Sequence, residues 1–200
     1  MHKEETHEVA AAGLREISPE PVRLYLKHGP QYREGWDNTG LEDFDHDDDP
    51  KNGRKCCWKY DPGTVAEIYA EEVLHQVPQG KVVDTLKHWR TLLASDSSTL
   101  TVEVLDVEAA CKAFLSAPPG HRWAPPAPDG TRRGIVHALV GLQQCGHPCG
   151  EFRSLFDAQH LYACLMQAGY VNVRRDPNIP NADRRIRFVA ERGELCDNQP

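Results

Sequence analysis

The sequence predicts a single α/β domain, in which a mostly parallel β-sheet carries helices on both faces and closes with an antiparallel C-terminal strand. The chain has 200 residues, of which 40% are hydrophobic, and this length and composition suit one domain with a full core. Along the chain, segments in which apolar and polar residues alternate are followed by segments of helical periodicity. Such an order of strands and helices is typical of a parallel sheet between two helix layers.

The predicted strands are short stretches in which every second residue is apolar. They lie near residues 22–27, 65–69, 99–105, 170–174 and 185–190. The first strand leads into Gly29-Pro30, which is a turn signal. The last two strands follow the final helix and have no further helix between them, so we expect this closing pair to be antiparallel.

The clearest predicted helix spans residues 80–94. Its apolar face comprises Val82, Leu86, Trp89 and Leu93, which fall at helical spacing. A second helix is predicted from Val107 to Leu115. A third is predicted near residues 157–168, because Asp157 is a suitable N-cap and Gly169 a suitable C-terminal stop.

The domain organisation predicted around these elements is simple. Residues 1–20 form a polar N-terminal arm, residues 21–192 the folded domain and residues 193–200 a C-terminal tail. Within the domain, residues 116–131 contain five prolines and form a long irregular loop. Loops of this length are usually functional or disordered, and the sequence leaves open whether this one is a substrate lid or a docking surface.

Charge and composition exclude several classes of partner. The formal net charge is -7, and an acidic surface repels phosphate backbones, so we expect no nucleic acid partner. No apolar run approaches the roughly 20 residues of a membrane helix. The segment from Met1 to Ala12 lacks the apolar core of an export signal. We therefore expect a soluble, cytoplasmic protein whose seven cysteines are reduced thiols.

Two short motifs resemble metal sites, and we expect no metal at either. The run CGHPC at residues 145–149 offers three soft ligands, whereas a structural zinc takes four. The acidic run at residues 45–49 is similar to the start of a calcium loop. That loop needs glycine at its sixth position and glutamate at its twelfth, where this chain has Pro50 and Cys56.

Three segments in a fixed order carry a resemblance to a known family. VRLYLKHGPQYREGWDNTG is similar to an opening that reads LxLNLGCGP and then GWINVD. The second segment begins TVAEIYAEEVLHQV and ends LTVEVLDVE, and it is similar to a pattern that reads SVDEIYAEHVLEHL, then a helix, then LKPGGxLxIEVPDLE. The third segment, SLFDAQHLYACLMQAGYVNVRR, is similar to FDxxxLxxLLxxAGFxxV. From about Val22 to Arg175, the chain thus resembles a group of small class I S-adenosylmethionine-dependent methyltransferases. The resemblance implies a Rossmann-like, doubly wound sheet and S-adenosylmethionine as cofactor.

The resemblance also implies a place for the cofactor, at the carboxyl ends of the parallel strands. The cofactor-binding positions fall on Lys27, His28, Gly29, Asp37 and Gly40. Lys27 stands where the family has the first glycine of its cofactor turn, and Gly40 stands where it has the acid that binds the ribose. Asp37 is an acid close enough in sequence to compensate. Because a hydrogen bond to a charged partner contributes about 1.5–3 kcal/mol, we expect weak cofactor binding.

Histidines are the candidate general bases for methyl transfer to a hydroxyl group. His28 follows the first strand and ranks first, and His75 ranks second, ahead of His121 and His160. The resemblance implies an enzyme that methylates a sugar hydroxyl or another small acceptor. The alternative is a catalytically inactive methyltransferase-fold protein that binds a small molecule or a protein partner. The sequence does not give the acceptor or the oligomeric state.

Overall fold

The computed structural model describes residues 22–27, 32–39, 60–116, 154–179 and 185–194. The strands are β1 (Val22–Lys27), β2 (Asp37–Thr39), β3 (Val65–Glu71), β4 (Thr99–Leu105), β5 (Val171–Arg175) and β6 (Arg185–Glu191). The helices are α1 (Val82–Leu92), α2 (Val107–Ser116) and α3 (Ala158–Gln167), with short 3-10 turns at Leu74–Gln76 and Gln79–Lys81. The predicted polar arm, the motifs at residues 45–49 and 145–149 and the proline-rich loop beyond Ser116 lie outside the described residues.

The six strands form one mixed sheet in the order β2-β1-β3-β4-β6-β5. Strands β1 to β4 pair in parallel, while β6 runs antiparallel between β4 and β5. This arrangement confirms the predicted α/β class with its antiparallel C-terminal pair. The strand order reverses at β1, which lies between β2 and β3. In open α/β sheets the ligand crevice lies at the carboxyl ends of the strands beside such a reversal.

One face of the sheet is apolar and carries the core. Its buried side chains are Leu24, Leu26, Ile68, Ala70, Leu100, Val102, Val104, Ile186, Phe188 and Ala190. Helices α1 and α3 cover this face and contact each other. The buried Tyr170 joins them by donating a hydrogen bond of 3.0 Å from its hydroxyl to the carbonyl of Leu86. Trp89 of α1 is fully buried in the same core.

Most elements lie where the periodicity predicts them. The Asp157 side chain caps α3 by accepting a hydrogen bond of 2.7 Å from the His160 backbone, and Gly169 ends the helix with φ of 86°, which glycine adopts without steric cost. Helix α1 begins at Val82, because a 3-10 turn occupies the residues before it. Strand β2 was not predicted, since its three residues, DNT, are too short and polar to show alternation.

The opposite face of the central strands is charged and aromatic. It carries Tyr25 and Lys27 from β1, Glu67, Tyr69 and Glu71 from β3, Thr101 and Glu103 from β4, and Arg185 and Arg187 from β6. Parallel strands enclosed by two helix layers ordinarily show near-continuous apolar runs. Here alternation persists through the parallel strands, and we call this second surface the polar face. Among the described residues, no helix is long and apolar enough to span a membrane.

Candidate functional site

Four side chains on adjacent strands form a charged row across the polar face. Backbone register aligns Lys27 with Glu71, Glu71 with Glu103, and Glu103 with Arg187. Two carboxylates therefore stand side by side, an arrangement that destabilises a sheet unless cations compensate it. Lys27 and Arg187 supply one cation at each end of the row. We call these four residues the charged row.

Lys27 ends β1 at the carboxyl edge of the sheet, where the cofactor is expected. Its side chain is only 8% exposed, and its ammonium forms an ion pair with Oε1 of Glu71. The other oxygen of Glu71 accepts a hydrogen bond of 2.6 Å from the hydroxyl of Tyr25. Nη1 of Arg185 lies 3.8 Å from Oε1 of Glu71. The Glu71 carboxylate is therefore engaged by side chains of its own chain.

Glu103 is the most buried acid of the row, with 3% of its surface exposed. It accepts hydrogen bonds from the Tyr69 hydroxyl at 2.9 Å, from Nη1 of Arg185 at 2.9 Å and from Nη2 of Arg187 at 2.6 Å. Burial opposes ionisation of this carboxyl, but the three donors outweigh burial, so the pKa of Glu103 lies below its usual value. The buried acid is thus held as a carboxylate.

The tyrosines of the polar face are the neutral donors of this network. Burial, the hydrogen bond to Glu71 and the charge of Glu71 raise the pKa of Tyr25 well above its usual value. Burial, the charge of Glu103 and the hydrogen bond to Glu103 do the same for Tyr69. Both phenols therefore stay protonated and donate to carboxylates across the whole physiological pH range.

Glu72 follows β3 directly and has a left-handed backbone with φ of 55°. A residue with a Cβ atom pays roughly 1–2 kcal/mol for this conformation. Two contacts hold it there. Its backbone N–H donates to the carbonyl of Glu103 at 2.9 Å, and its carboxylate pairs with Arg185 at 2.6 Å. A strained residue therefore turns the chain at the carboxyl end of β3, where a ligand crevice is expected.

Two of the predicted cofactor-binding residues are described by the structure, Lys27 on β1 and Asp37 on β2, and they lie apart. Asp37 begins β2 and aligns with Leu24, three residues before Lys27 and therefore about 10 Å from it along the strand direction. Its carboxylate accepts a hydrogen bond of 2.7 Å from the hydroxyl of Tyr60. The other three predicted cofactor-binding positions, His28, Gly29 and Gly40, lie outside the described residues, so their roles stay predictions.

His75 lies in the 3-10 turn after β3, between the buried Leu74 and Gln76, and is itself 6% exposed. Its backbone carbonyl accepts a hydrogen bond of 3.0 Å from the Ser154 backbone. The Ser154 hydroxyl in turn donates to the carbonyl of Val77 at 2.5 Å. His75 therefore lies under the segment that precedes α3, and its role as a general base stays a prediction.

The described residues do not fit S-adenosylmethionine at the end of β1. Close approach of a ligand to backbone is what a glycine permits there, whereas Lys27 fills the position with a long side chain held in a part-buried ion pair with Glu71. Removing one partner of a buried pair costs about 3–5 kcal/mol, because the other charge is left uncompensated. In the parts of the chain that the structure describes, no group of three or more histidine, cysteine, aspartate or glutamate side chains is placed to hold a metal ion.

The acids and the arginine of the charged row, and Arg185 beside it, were not among the predicted site residues. The signal that could have found them is the alternation itself, since Glu67, Tyr69 and Glu71 occupy every second position of a strand that is parallel on both sides. When such a strand has one charged face, its neighbours must carry side chains of opposite charge on the same face. Arg185 and Arg187 show the same spacing in the last strand.

Comparison with known proteins returns solved structures at low sequence identity. No protein-family model and no curated protein sequence matches the chain. Among solved structures, the CurJ carbon methyltransferase is 14% identical with a TM-score of 0.44, and the match covers 90% of this chain and 50% of that one. The trans-methyltransferase CalH, in complex with SAH, is 19% identical with a TM-score of 0.40, covering 80% and 36%.

A third similar structure is described as a possible exported protein from Bordetella parapertussis. It is 13% identical with a TM-score of 0.42, and the match covers 68% of this chain and 41% of that one. This chain thus spans half or less of the length of each of the three solved structures. Likenesses at these scores carry no argument about individual residues or activity. The α/β fold class itself is given by the strand order and pairing of this sheet.

Proposed function

We propose that this chain is a methyltransferase-like binding module that does not use S-adenosylmethionine as a methyl donor. The proposal combines the sequence resemblance with one structural observation, the part-buried ion pair of Lys27 and Glu71 at the end of β1. The resemblance implies a cofactor turn at this point. The ion pair supports the inactive alternative, because the charge that replaces the first glycine of that turn is engaged within the fold.

The energetic argument concerns how the cofactor would have to bind. A cofactor that approached the backbone at Lys27 would displace the ammonium from Glu71, at a cost of at most about 3–5 kcal/mol, the figure for a fully buried pair. A complete site with micromolar affinity has about 8 kcal/mol of binding free energy. Subtracting the first figure from the second leaves an affinity in the high micromolar to millimolar range. The acidic net charge of -7 supports a protein or small-molecule partner over a nucleic acid.

Titration calorimetry with S-adenosylmethionine tests the proposal directly. We expect weak or undetectable binding by the unmodified chain at cofactor concentrations up to about 1 mM, in line with the affinity estimated above. A dissociation constant in the low micromolar range would refute the proposal and would favour the active enzyme.

A designed gain of binding tests whether the alignment with the family pattern is correct at Lys27 and Gly40. Lys27→Gly combined with Glu71→Gln removes both charges of the pair, so that neither is left uncompensated. Adding Gly40→Asp restores the acid that the resemblance expects at the ribose. We expect the triple variant to bind S-adenosylmethionine at least tenfold more tightly than the matched Lys27→Gly/Glu71→Gln variant, about 1.4 kcal/mol. Equal affinities would show that the alignment with the family pattern is wrong at these positions.

The second candidate is an active methyltransferase that modifies a sugar hydroxyl or another small acceptor, with His28 or His75 as base. The observation that favours it is the left-handed backbone of Glu72 at the carboxyl end of β3, because strained residues concentrate at functional sites. Transfer of a labelled methyl group to a panel of sugar acceptors would support this candidate. It requires the tight cofactor binding that the calorimetric experiment measures.

A further inference from the structure

Three aromatic rings pack together on the polar face. The ring centroids of Tyr25, Trp36 and Tyr69 are 5.7 to 6.5 Å apart, and the interplanar angles between them are 53°, 70° and 84°. The two pairs with Trp36 are edge-to-face contacts and the tyrosine pair is tilted, so the three rings contact one another at different orientations. Tyr25 and Tyr69 are neighbours in register on β1 and β3, and Trp36 precedes β2. We call these three rings the aromatic box.

The guanidinium of Arg33 occupies this box. Its central carbon lies 4.3 Å from the ring centroid of Trp36, 4.5 Å from that of Tyr69 and 5.7 Å from that of Tyr25. All three distances are within the roughly 6 Å range of cation–π attraction. No residue that the structure describes accepts a hydrogen bond from this guanidinium or pairs with it as a carboxylate. Within those residues, Arg33 is held by the rings.

Carboxylates that accept hydrogen bonds from the two tyrosines strengthen the attraction of the rings for a cation. The hydroxyls of Tyr25 and Tyr69 donate to Glu71 and Glu103 at 2.6 and 2.9 Å, and such charge-assisted hydrogen bonds push electron density into the phenol rings. Two further arginines contact the box from outside, Arg23 at 4.2 Å from Trp36 and Arg187 at 5.6 Å from Tyr69. Both of these have carboxylate partners, Glu67 and Glu103, whereas Arg33 has the rings.

The backbone around Arg33 is fixed independently of its side chain. Asn38 accepts a hydrogen bond of 2.8 Å from the Arg33 backbone N–H. Its amide nitrogen donates to the carbonyls of Arg33 at 3.0 Å and Trp36 at 2.7 Å. The turn that presents Trp36 should therefore persist when the Arg33 side chain moves or is removed. Arg33 is half-buried, so the box reaches solvent along this side chain.

We propose that the aromatic box is a binding site for a small organic cation of the quaternary ammonium class, and that Arg33 occupies it as an internal competitor. The chemistry rests on three converging rings, which attract a weakly hydrated cation without needing hydrogen bonds from it. A ligand enters when Arg33 swings toward solvent. The site is on the polar face, and its test does not depend on whether S-adenosylmethionine binds at the end of β1.

Choline is the probe, and 3,3-dimethylbutan-1-ol is its neutral isostere. We expect Arg33→Ala to bind choline at least tenfold more tightly than the unmodified chain does, and at least tenfold more tightly than it binds the isostere, as measured by titration calorimetry at constant ionic strength. Arg33→Lys keeps a cation on the turn and should behave like the unmodified chain. Adding Trp36→Leu to Arg33→Ala should abolish choline binding.

Folding of each variant is checked by circular dichroism and thermal melting. If Arg33→Ala does not fold, Arg33→Gln removes the charge with a smaller change in volume and carries the same expectation. Equal affinity of the uncharged variant for choline and the isostere would overturn the proposal. So would choline binding that survives loss of Trp36, because the rings would then not be the site.

Discussion

Replacing Glu103 with glutamine tests whether the charged row holds the sheet together. The substitution keeps the size of the side chain and removes its charge. Arg187 donates to Glu103 from Nε and Nη2, at 2.9 and 2.6 Å, and Arg185 donates at 2.9 Å. The glutamine amide presents two N–H groups of its own to these donors, so at least one of the present contacts becomes a clash of like groups.

The size of the effect follows from what the arginines retain. Loss of one partner from a buried ion pair costs about 3–5 kcal/mol. Arg187 keeps Asp176 at 3.1 Å, and Arg185 keeps Glu72 at 2.6 Å, so we expect the lower end, about 3 kcal/mol. For a protein of this length, each kcal/mol corresponds to roughly 2–4 °C in Tm. Glu103→Gln should therefore lower Tm by about 6–12 °C.

Glu67→Gln is the matched control on the same face. Its partner Arg23 lies at 3.0 Å, but the two side chains are 31% and 50% exposed. Exposed pairs contribute at most about 1 kcal/mol, so the control should lower Tm by less than about 4 °C. Thermal melting and urea titration of both variants give the comparison. Equal losses in the two variants, or a loss below about 1 kcal/mol for Glu103→Gln, would contradict the argument from burial.

Two further predictions concern acid stability and the cap of α3. Because the folded-state pKa of Glu103 lies below its usual value, its contribution to the free energy of unfolding is complete at neutral pH and is lost as pH falls through the folded pKa. Urea titrations should therefore show stability decreasing below about pH 4.5. The decrease should be shallower in Glu103→Gln. An unchanged slope would refute this assignment. Asp157→Ala removes the side chain that accepts from the His160 backbone at 2.7 Å and should cost about 1 kcal/mol in the free energy of unfolding, while Asp157→Ser should retain most of it.

The elements with strong periodicity could be predicted from the sequence, and the physical reason is burial on one face. Helix α1 has a fully buried stripe that includes Leu86 and Trp89, so its spacing stands out. Strand β4 has the predicted bounds because Leu100, Val102 and Val104 alternate with side chains of the polar face. Strand β2 could not be predicted, because its place in the sheet comes from pairing with β1 and its composition shows no pattern.

The candidate site was less predictable, because its contacts depend on register between distant strands. Lys27 and Glu71 are 44 positions apart, and Arg187 and Glu103 are 84 apart. Sequence separation of this size gives no local signal, and a slip of one residue would move every side chain to the other face. The resemblance could assign Lys27 to a cofactor turn. The identity of its partner depends on the pairing of β1 with β3.

Register also predicts that glycine at position 27, which the resemblance implies, would destabilise this sheet. Glu71 aligns with Lys27 on one side and with Glu103 on the other. Glycine at position 27 would leave two adjacent carboxylates, the buried Glu103 and the partly buried Glu71, with cations at one end of the row only. Like charges directly opposite destabilise a sheet. On the proposed function, the lysine that takes the place of the turn's first glycine is thus the residue that balances the charged row. A variant designed to bind the proposed cofactor at this position therefore requires changes on β1 and β3 together.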